Sequence, residues 1–228
     1  INDAPALRAA DVGISDEDAV DVARESADIV LLKPDLSVLH QGVVDGRRTF
    51  ANTLKYVHIT ISANFGNMIS MAVATPFLPF LPLLPKQILL NNFLSDLPSV
   101  AISTDAVDQD QVARPQEWDM NRTRRFMFVF GLISSAFDLL TFATLIWVFK
   151  AGEGVFHTGW FIVSLLTELA VLLVLRSRGP ALRSGPGTML LWSTAAVAGL
   201  ALALPWLGPL AAAFGFVPLP LAVAAVAS

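Results

Sequence analysis

Hydrophobic and polar positions alternate on two different scales along this chain, and the change falls near residue 56. Beyond it the apolar runs are about 20 residues long, the length a helix needs to cross a bilayer. Six are predicted as spans, at 57–78, 88–103, 126–149, 160–175, 189–207 and 216–228, the last of them truncated. Before the change the apolar stretches are short. Residues 5–10 read as a short helix, with Asp3 as N-cap and Pro5 in the first turn. Val12-Gly13-Ile14-Ser15 reads as a strand. Residues 16–26 carry Ala19, Val20 and Ala23 at helical spacing behind an acidic first turn. Ile29-Val30-Leu31-Leu32, bounded by Asp28 and Lys33-Pro34, has the continuous apolar character of a buried parallel strand. From Leu36 a helical pattern runs through Gly46-Arg47-Arg48 toward the first span. The predicted fold is mainly α: a polytopic membrane helix bundle over 57–228, a helix over 36–56 leading into it, and a small α/β piece over 1–35.

Composition sharpens this picture. Hydrophobic types make up 54%, charged types only 15%, and mean hydropathy is +0.62, whereas a soluble domain is about a quarter charged. Ten of the 19 acidic residues lie in the first 45 positions, so the polar character is concentrated there. A net charge of −4 excludes a strongly basic nucleic-acid binder. Without cysteine there is no disulfide framework, thiolate nucleophile or Cys-based zinc site. Of the 15 Lys and Arg, 13 fall on one side if the N-terminus is cytoplasmic, leaving Lys86 and Lys150 on the other. The positive-inside rule then holds at every loop. The chain starts at Ile1 with no signal peptide and stops at Ser228 inside an apolar run, so it is expected to be part of a longer protein.

Candidate chemistry comes from what a bilayer should exclude. An acidic side chain at mid-membrane costs about 2.5–3.5 kcal/mol on insertion scales. Asp96, Asp138 and Glu168 fall inside predicted spans, with no Lys or Arg in a span core to pair with them. Asn92, Ser95 and Asp96 stand at i, i+3 and i+4 and share a helical face; in the preceding span Thr60, Asn64 and Asn67 share another. Pro98 lacks the N–H that would bind the Leu94 carbonyl and leaves that oxygen to a ligand. Asp96 is therefore the candidate metal ligand, within a cation site of Asn64, Asn67, Asn92, Ser95 and Asp96. The Leu94 carbonyl and Glu168 are further candidate donors. Helix–helix hydrogen bonding is the competing role for Asn64 and Asn67. Asp138, after Gly131, Ser134 and Ser135, is read as a structural hydrogen-bonding residue, and Glu168 as either an ion contact or a buried neutral carboxyl. His40, His58 and His157 are read as interfacial. One carboxylate among neutral oxygen donors favours partly hydrated magnesium over calcium and over soft metals.

Ile1-Asn2-Asp3-Ala4-Pro5-Ala6-Leu7 followed by Ala10-Asp11-Val12-Gly13-Ile14 resembles the hinge motif of P-type ATPases. Ala27-Asp28-Ile29-Val30-Leu31 and Gly46-Arg47-Arg48 continue the likeness. Ser62-Ala63-Asn64-Phe65-Gly66-Asn67 and Asn91-Asn92-Phe93-Leu94-Ser95-Asp96-Leu97-Pro98 resemble the family's fifth and sixth membrane helices, in detail those of its magnesium-transporting branch. The resemblance implies that 1–35 is the end of a haloacid-dehalogenase-like phosphorylation domain, with Asn2 and Asp3 supporting its catalytic site. It makes 36–56 a cytoplasmic stalk and 57–228 the cation-transporting membrane domain. It also implies ATP as substrate, a catalytic Mg2+ whose main ligand would precede Ile1, and an aspartyl-phosphate intermediate formed outside this chain. The chain alone is then expected to be inactive. The implied partners are the transported cation, expected to be Mg2+, the bilayer of a plasma (inner) membrane, and the remainder of the pump. In that mechanism the stalk pulls on the first span and alters the oxygen cage around Asp96. The loop 104–125 either contacts the phosphorylation domain or is a positive-inside anchor. A proton or calcium pump is the alternative within the superfamily; a truncated six-span channel or membrane partner is the alternative outside it.

Overall fold

Residues 2–33, 35–176, 185–220 and 223 are described by the computed structural model, which divides into two units, Ile1–Gly46 and Arg47–Ser228. In the first unit α1 (Ala4–Ala9) begins with proline in its first turn. Asp3 occupies the cap position but its side chain makes no capping bond, unlike the expectation from sequence. Strands β1 (Ile14–Asp16) and β2 (Ile29–Leu31) pair in parallel, Ile14 opposite Ile29. Gly13 joins them: its N–H donates to Asp28 Oδ2 at 2.8 Å, and its carbonyl accepts from the N–H groups of Asp28 and Ile29. A Cβ at Gly13 would lie 2.6 Å from the Leu7 carbonyl oxygen, so a side chain has no room there.

Helix α2 (Asp21–Ser26) starts five residues later than the predicted 16–26. Asp16 belongs to β1, and the Glu17 N–H extends the sheet to the Leu31 carbonyl. The apolar spacing over 16–26 therefore spans a strand end, a turn and a helix. The expected burial of β2 is corrected as well: Ile29 is 49% and Val30 37% exposed. In a two-stranded sheet each strand has a single neighbour, which leaves one edge open and β2 partly uncovered.

The predicted boundary near residue 56 is not a break in the backbone. Helix α3 runs from Leu36 to Ala74, 39 residues, or roughly 58 Å at the helical rise. At its start the Ser37 hydroxyl and then its N–H, at 2.8 Å, hold the Asp35 carboxyl below the usual carboxylate range. It ends in a 3-10 turn containing Pro76. Helix α4 (Pro85–Ala101) opens on a proline, Gln87 accepting the Leu84 N–H, and closes in a 3-10 turn, Ile102–Thr104. The short α5 (Gln109–Ala113) follows. Asp119 caps α6 (Met120–Ala143) by accepting from Asn121 and Arg122, and a π-helical turn, Thr144–Val148, extends it. Helices α7 (Glu153–Leu175) and α8 (Thr188–Ala203) come next, then α9 (Pro209–Phe214), stopped by Gly215 in the left-handed region.

Among the described residues three helical stretches are long and apolar enough to cross a membrane: Met120–Val148, Glu153–Leu175 and Thr188–Trp206. Helix α4 is only 17 residues long, and α3 is interrupted by Thr60, Ser62, Asn64, Asn67 and Ser70. The sixth predicted run, 216–228, lies mostly outside the described residues. Its described start, 216–220, is not helical, as Pro218 and Pro220 would favour. The core is built where α4 packs on α7 and α8, around Phe156, Trp160, Phe161, Leu165 and Ala201. Helices α3 and α6 meet at Gly66 and Gly131: a Cβ on Gly66 would lie 3.0 Å from the Gly131 oxygen.

Candidate functional site

The polar residues that keep α3 and α4 out of the apolar class are the ones singled out as cation ligands, and the structure divides them. Asn67 is half-buried and accepts a hydrogen bond from Ser164 Oγ on α7 at 3.2 Å. With Ser62, Asp138, Ser164, Thr167 and Glu168 it lines a cavity of about 120 Å³ between α3, α6 and α7. Glu168 meets α4 as well: Asn91 Nδ2 donates to Glu168 Oε2 at 3.5 Å. Asn91 is 3% exposed, and its Oδ1 has no partner among the described residues. Thr60 Oγ1 is likewise buried and without one. Buried oxygen acceptors left over in this way suit a hard cation, which binds oxygen.

Asp96 and Asn64 are exposed, Asn92 is half-buried and Ser95 buried; none of the four lines the cavity. The Asn92/Ser95/Asp96 face therefore turns from interior to surface across its width, Ser95 donating back to the Asn92 carbonyl at 3.2 Å. Helix α4 stays continuous through Pro98, with Leu94 buried, so the carbonyl deprived of its N–H sits in an otherwise intact helix. Asn2 and Asp3 are exposed in the first unit.

Asp138 has the hydrogen-bonding surroundings read for it. Its Oδ2 accepts from Ser70 on α3 at 2.7 Å and its Oδ1 from Trp160 Nε1 on α7 at 2.9 Å. His58 meets Thr123 at 3.0 Å, and His157 is buried against the Leu81 carbonyl. Two charged residues were missed by sequence reasoning. Asp105, with no exposed side-chain surface, lies 3.4 Å from Arg176 Nη1 and 3.6 Å from Lys55 Nζ. Asp105 stands inside the polar loop 104–125, and Arg176 just past a span, where charges are ordinary, so neither drew notice.

Residues 80–227, beginning just before α4, match the family model described as cation transporting ATPase, C-terminus. The chain belongs to that family, as the C-terminal part of a P-type ATPase. It is 49% identical over 97% of its length to the magnesium-transporting ATPase, P-type 1, of Escherichia coli K12, and 48% identical over the same share to that of Salmonella typhimurium. It is also 31% identical, over 68% of its length, to an endoplasmic reticulum-type calcium-transporting ATPase 3 of Arabidopsis thaliana, covering 16% of that protein. The chain spans 25% of the length of the magnesium-transporting relatives. Within the chain the matched region takes in α4 to α9, with Asn92, Ser95, Asp96, Asp138 and Glu168, while Asn64 and Asn67 on α3 lie before it.

Proposed function

We propose that this chain is the cation-conducting part of an ATP-driven pump that moves Mg2+ across a membrane, with Asp96 as the carboxylate ligand. The observation that carries this is the contrast among the helices. Met120–Val148, Glu153–Leu175 and Thr188–Trp206 are apolar enough to face lipid, whereas α3 and α4 hold Asn64, Asn67, Asn92, Ser95 and Asp96. Polar groups at membrane depth are tolerated where they line a path. In this proposal α3 and α4 are the first two of six spans, the N-terminus is cytoplasmic, and other parts of the pump cover the exposed Asp96 and Asn64. One carboxylate with amide and hydroxyl oxygens suits an ion that keeps part of its water. The names of the relatives that match 97% of the chain point the same way.

The first unit belongs, in the same proposal, to a phosphorylation domain that forms an aspartyl phosphate elsewhere in the protein. Asn2 and Asp3 are exposed beside α1, Asp3 unused as a cap, so both keep oxygen available. An amide and a carboxylate suit a hard cation such as the catalytic Mg2+, which would neutralise phosphate charge when bound. The chain alone would not hydrolyse ATP.

The test is cation-stimulated ATP hydrolysis by the full-length protein and its Asp96→Asn variant, comparing Mg2+, Ca2+ and pH dependence. Loss of Mg2+ stimulation, with the variant still in the membrane, is expected. Stimulation at the wild-type level would remove Asp96 from the site. A response to Ca2+ or protons alone would replace the cargo.

A further inference from the structure

Just past α4 one buried carboxylate gathers charges from two helices and a main-chain donor from a third. Asp105 Oδ1 accepts the N–H of Gly187, the cap of α8, at 2.9 Å. Arg176, the cap of α7, brings Nη1 to 3.4 Å, and Lys55 on α3 brings Nζ to 3.6 Å. The Asp105, Arg176 and Lys55 side chains are 0%, 2% and 8% exposed. Helix α3 also holds the backbone around this point. Asn52 Nδ2 donates to the carbonyls of Ser103 (3.2 Å) and Asp105 (3.1 Å), and Lys55 Nζ donates to that of Ala106 (3.0 Å). These are carbonyls at and just past the end of α4, where helical partners run out. Beneath them Ala101 and Ile102 pack with Ile59, Leu172 and Leu190.

The bond lengths differ in kind. The Gly187 N–H to the Asp105 carboxylate and Lys55 Nζ to the Ala106 carbonyl are short hydrogen bonds, whereas Arg176 Nη1 reaches the carboxylate only by long ones of 3.4 and 3.5 Å and Lys55 by an ion pair at 3.6 Å. Coulomb attraction falls only as the inverse of distance. A displacement of about 1 Å therefore keeps roughly three-quarters of such an attraction but would break a directional hydrogen bond. The Asp105 carboxylate is fixed to α8 by the short bond and keeps most of its attraction to α3 and α7 over a small shift, while Asn52 and Lys55 tie the main chain at the end of α4 directly to α3.

We propose that Asp105 is the positioning residue through which a movement of α3 is passed to α4. Arg176 and the Gly187 N–H hold the end of α4 to α7 and α8, and Lys55 brings in the displacement of α3. Asp96 lies nine residues before Asp105, on α4 itself, with the 3-10 turn Ile102–Thr104 joining the two, so a turn of the α4 end moves the carboxylate ligand directly. The inference rests on the pump reading above.

The experiment uses the full-length protein in proteoliposomes with Mg2+ as the probe, measuring ions moved and ATP hydrolysed together. Lys55→Met leaves the Asp105 contacts with Arg176 and Gly187 in place and is the variant chosen to fold; Asp105→Asn keeps shape and the Gly187 acceptor but removes charge. Both should lower the ions moved per ATP at least threefold, with ATP hydrolysis within about twofold of wild type and the KM for ATP unchanged. Lys55→Arg, which restores the charge, should recover the ratio. Transport and hydrolysis falling in proportion, as for lost folded protein, would overturn the proposal, as would an unchanged ratio in Lys55→Met. If the wild type shows no Mg2+-stimulated hydrolysis, the pump reading fails and takes this inference with it; the variants alone decide the narrower question.

Discussion

Trp160 Nε1 donates to Asp138 Oδ1 at 2.9 Å across the α6–α7 interface, while the other carboxylate oxygen receives Ser70 from α3 at 2.7 Å. Trp160 is 1% exposed and Ser70 wholly buried, so neither donor has water to turn to. Asp138 thus joins three helices through hydrogen bonds worth more in a dry setting than at a surface.

Replacing Asp138 by Leu should strand the Trp160 donor, while the Ser70 hydroxyl falls back on the Gly66 carbonyl. A buried group left unpaired costs about 1–3 kcal/mol, so a marked fall in the thermal midpoint of the purified protein in detergent is expected. Asp138→Asn should lose much less. Its oxygen can accept from Trp160 and its amide can donate to Ser70, whose own proton then goes to the Gly66 carbonyl 2.9 Å away. Equal destabilisation by Leu and Asn would refute a hydrogen-bonding role.

The α3–α6 contact predicts an order that the shortest distance alone would reverse. A Cβ on Gly131 would stand 2.6 Å from Phe65 Cδ1, closer than the 3.0 Å between a Cβ on Gly66 and the Gly131 oxygen or Ser134 Cβ. The Phe65 ring can rotate away, but a carbonyl fixed in a helix cannot. Gly66→Ala should therefore cost about 1–3 kcal/mol as overpacking. Gly131→Ala should come out near neutral, since alanine regains up to about 1 kcal/mol of helix propensity. Thermal unfolding of the two variants side by side reads the order directly.

Much of this arrangement was legible in the sequence, and the exceptions share a cause. The apolar runs around Phe130, Leu165 and Val197 came out as helices long and apolar enough to cross a membrane, because bilayer length and helical rise leave little choice. The strands came out parallel as read, since a helix must intervene between them. Start positions slipped where apolar spacing fitted two periods: Ala19, Val20 and Ala23 suited a helix, yet the Glu17 N–H was taken by the Leu31 carbonyl. Helix α9 was missed because six residues between Gly208 and Gly215 are too few to show a period. The polar ladders on α3 and α4 were visible, but not which rungs face inward. Helical spacing put Ser95 and Asp96 on one face, and tertiary packing buried the first and exposed the second. Pairings such as Asn67 with Ser164 or Asp105 with Arg176 join positions 97 and 71 residues apart, beyond the reach of any local pattern.

Ser164 gives a graded test of the cavity between α3, α6 and α7. Its hydroxyl fixes Asn67 Oδ1 at 3.2 Å, and a neutral hydrogen bond of this kind is worth about 0.5–1.5 kcal/mol. If Asn67 contributes oxygen to the transported cation, Ser164→Ala in the full-length pump should shift half-saturation for Mg2+ by about 2- to 10-fold with maximal turnover little changed. An unshifted half-saturation would take Asn67 out of the cation path and leave it a helix–helix contact.

Lys55 makes the last prediction, through pH. Burial pushes its ammonium group below the ordinary lysine value of 10.5; the charges of Asp105 and Asp108 pull upward without cancelling that, and Arg176 adds to the lowering. Between the folded value and 10.5 the unfolded chain binds more protons than the native one, so native stability rises with pH across that window. Below the window the native state carries the full cost of keeping a charge out of water; above it the lysine is neutral in both states and the cost is gone. Wild-type protein should therefore gain stability as pH is raised toward 10.5, and Lys55→Met, with nothing to titrate at this position, should lack that increment. The difference between their unfolding midpoints over alkaline pH isolates Lys55, because every other titrating group is common to both. A flat difference would mean that the ammonium is as well solvated as one at the surface, against the 8% exposure of its side chain.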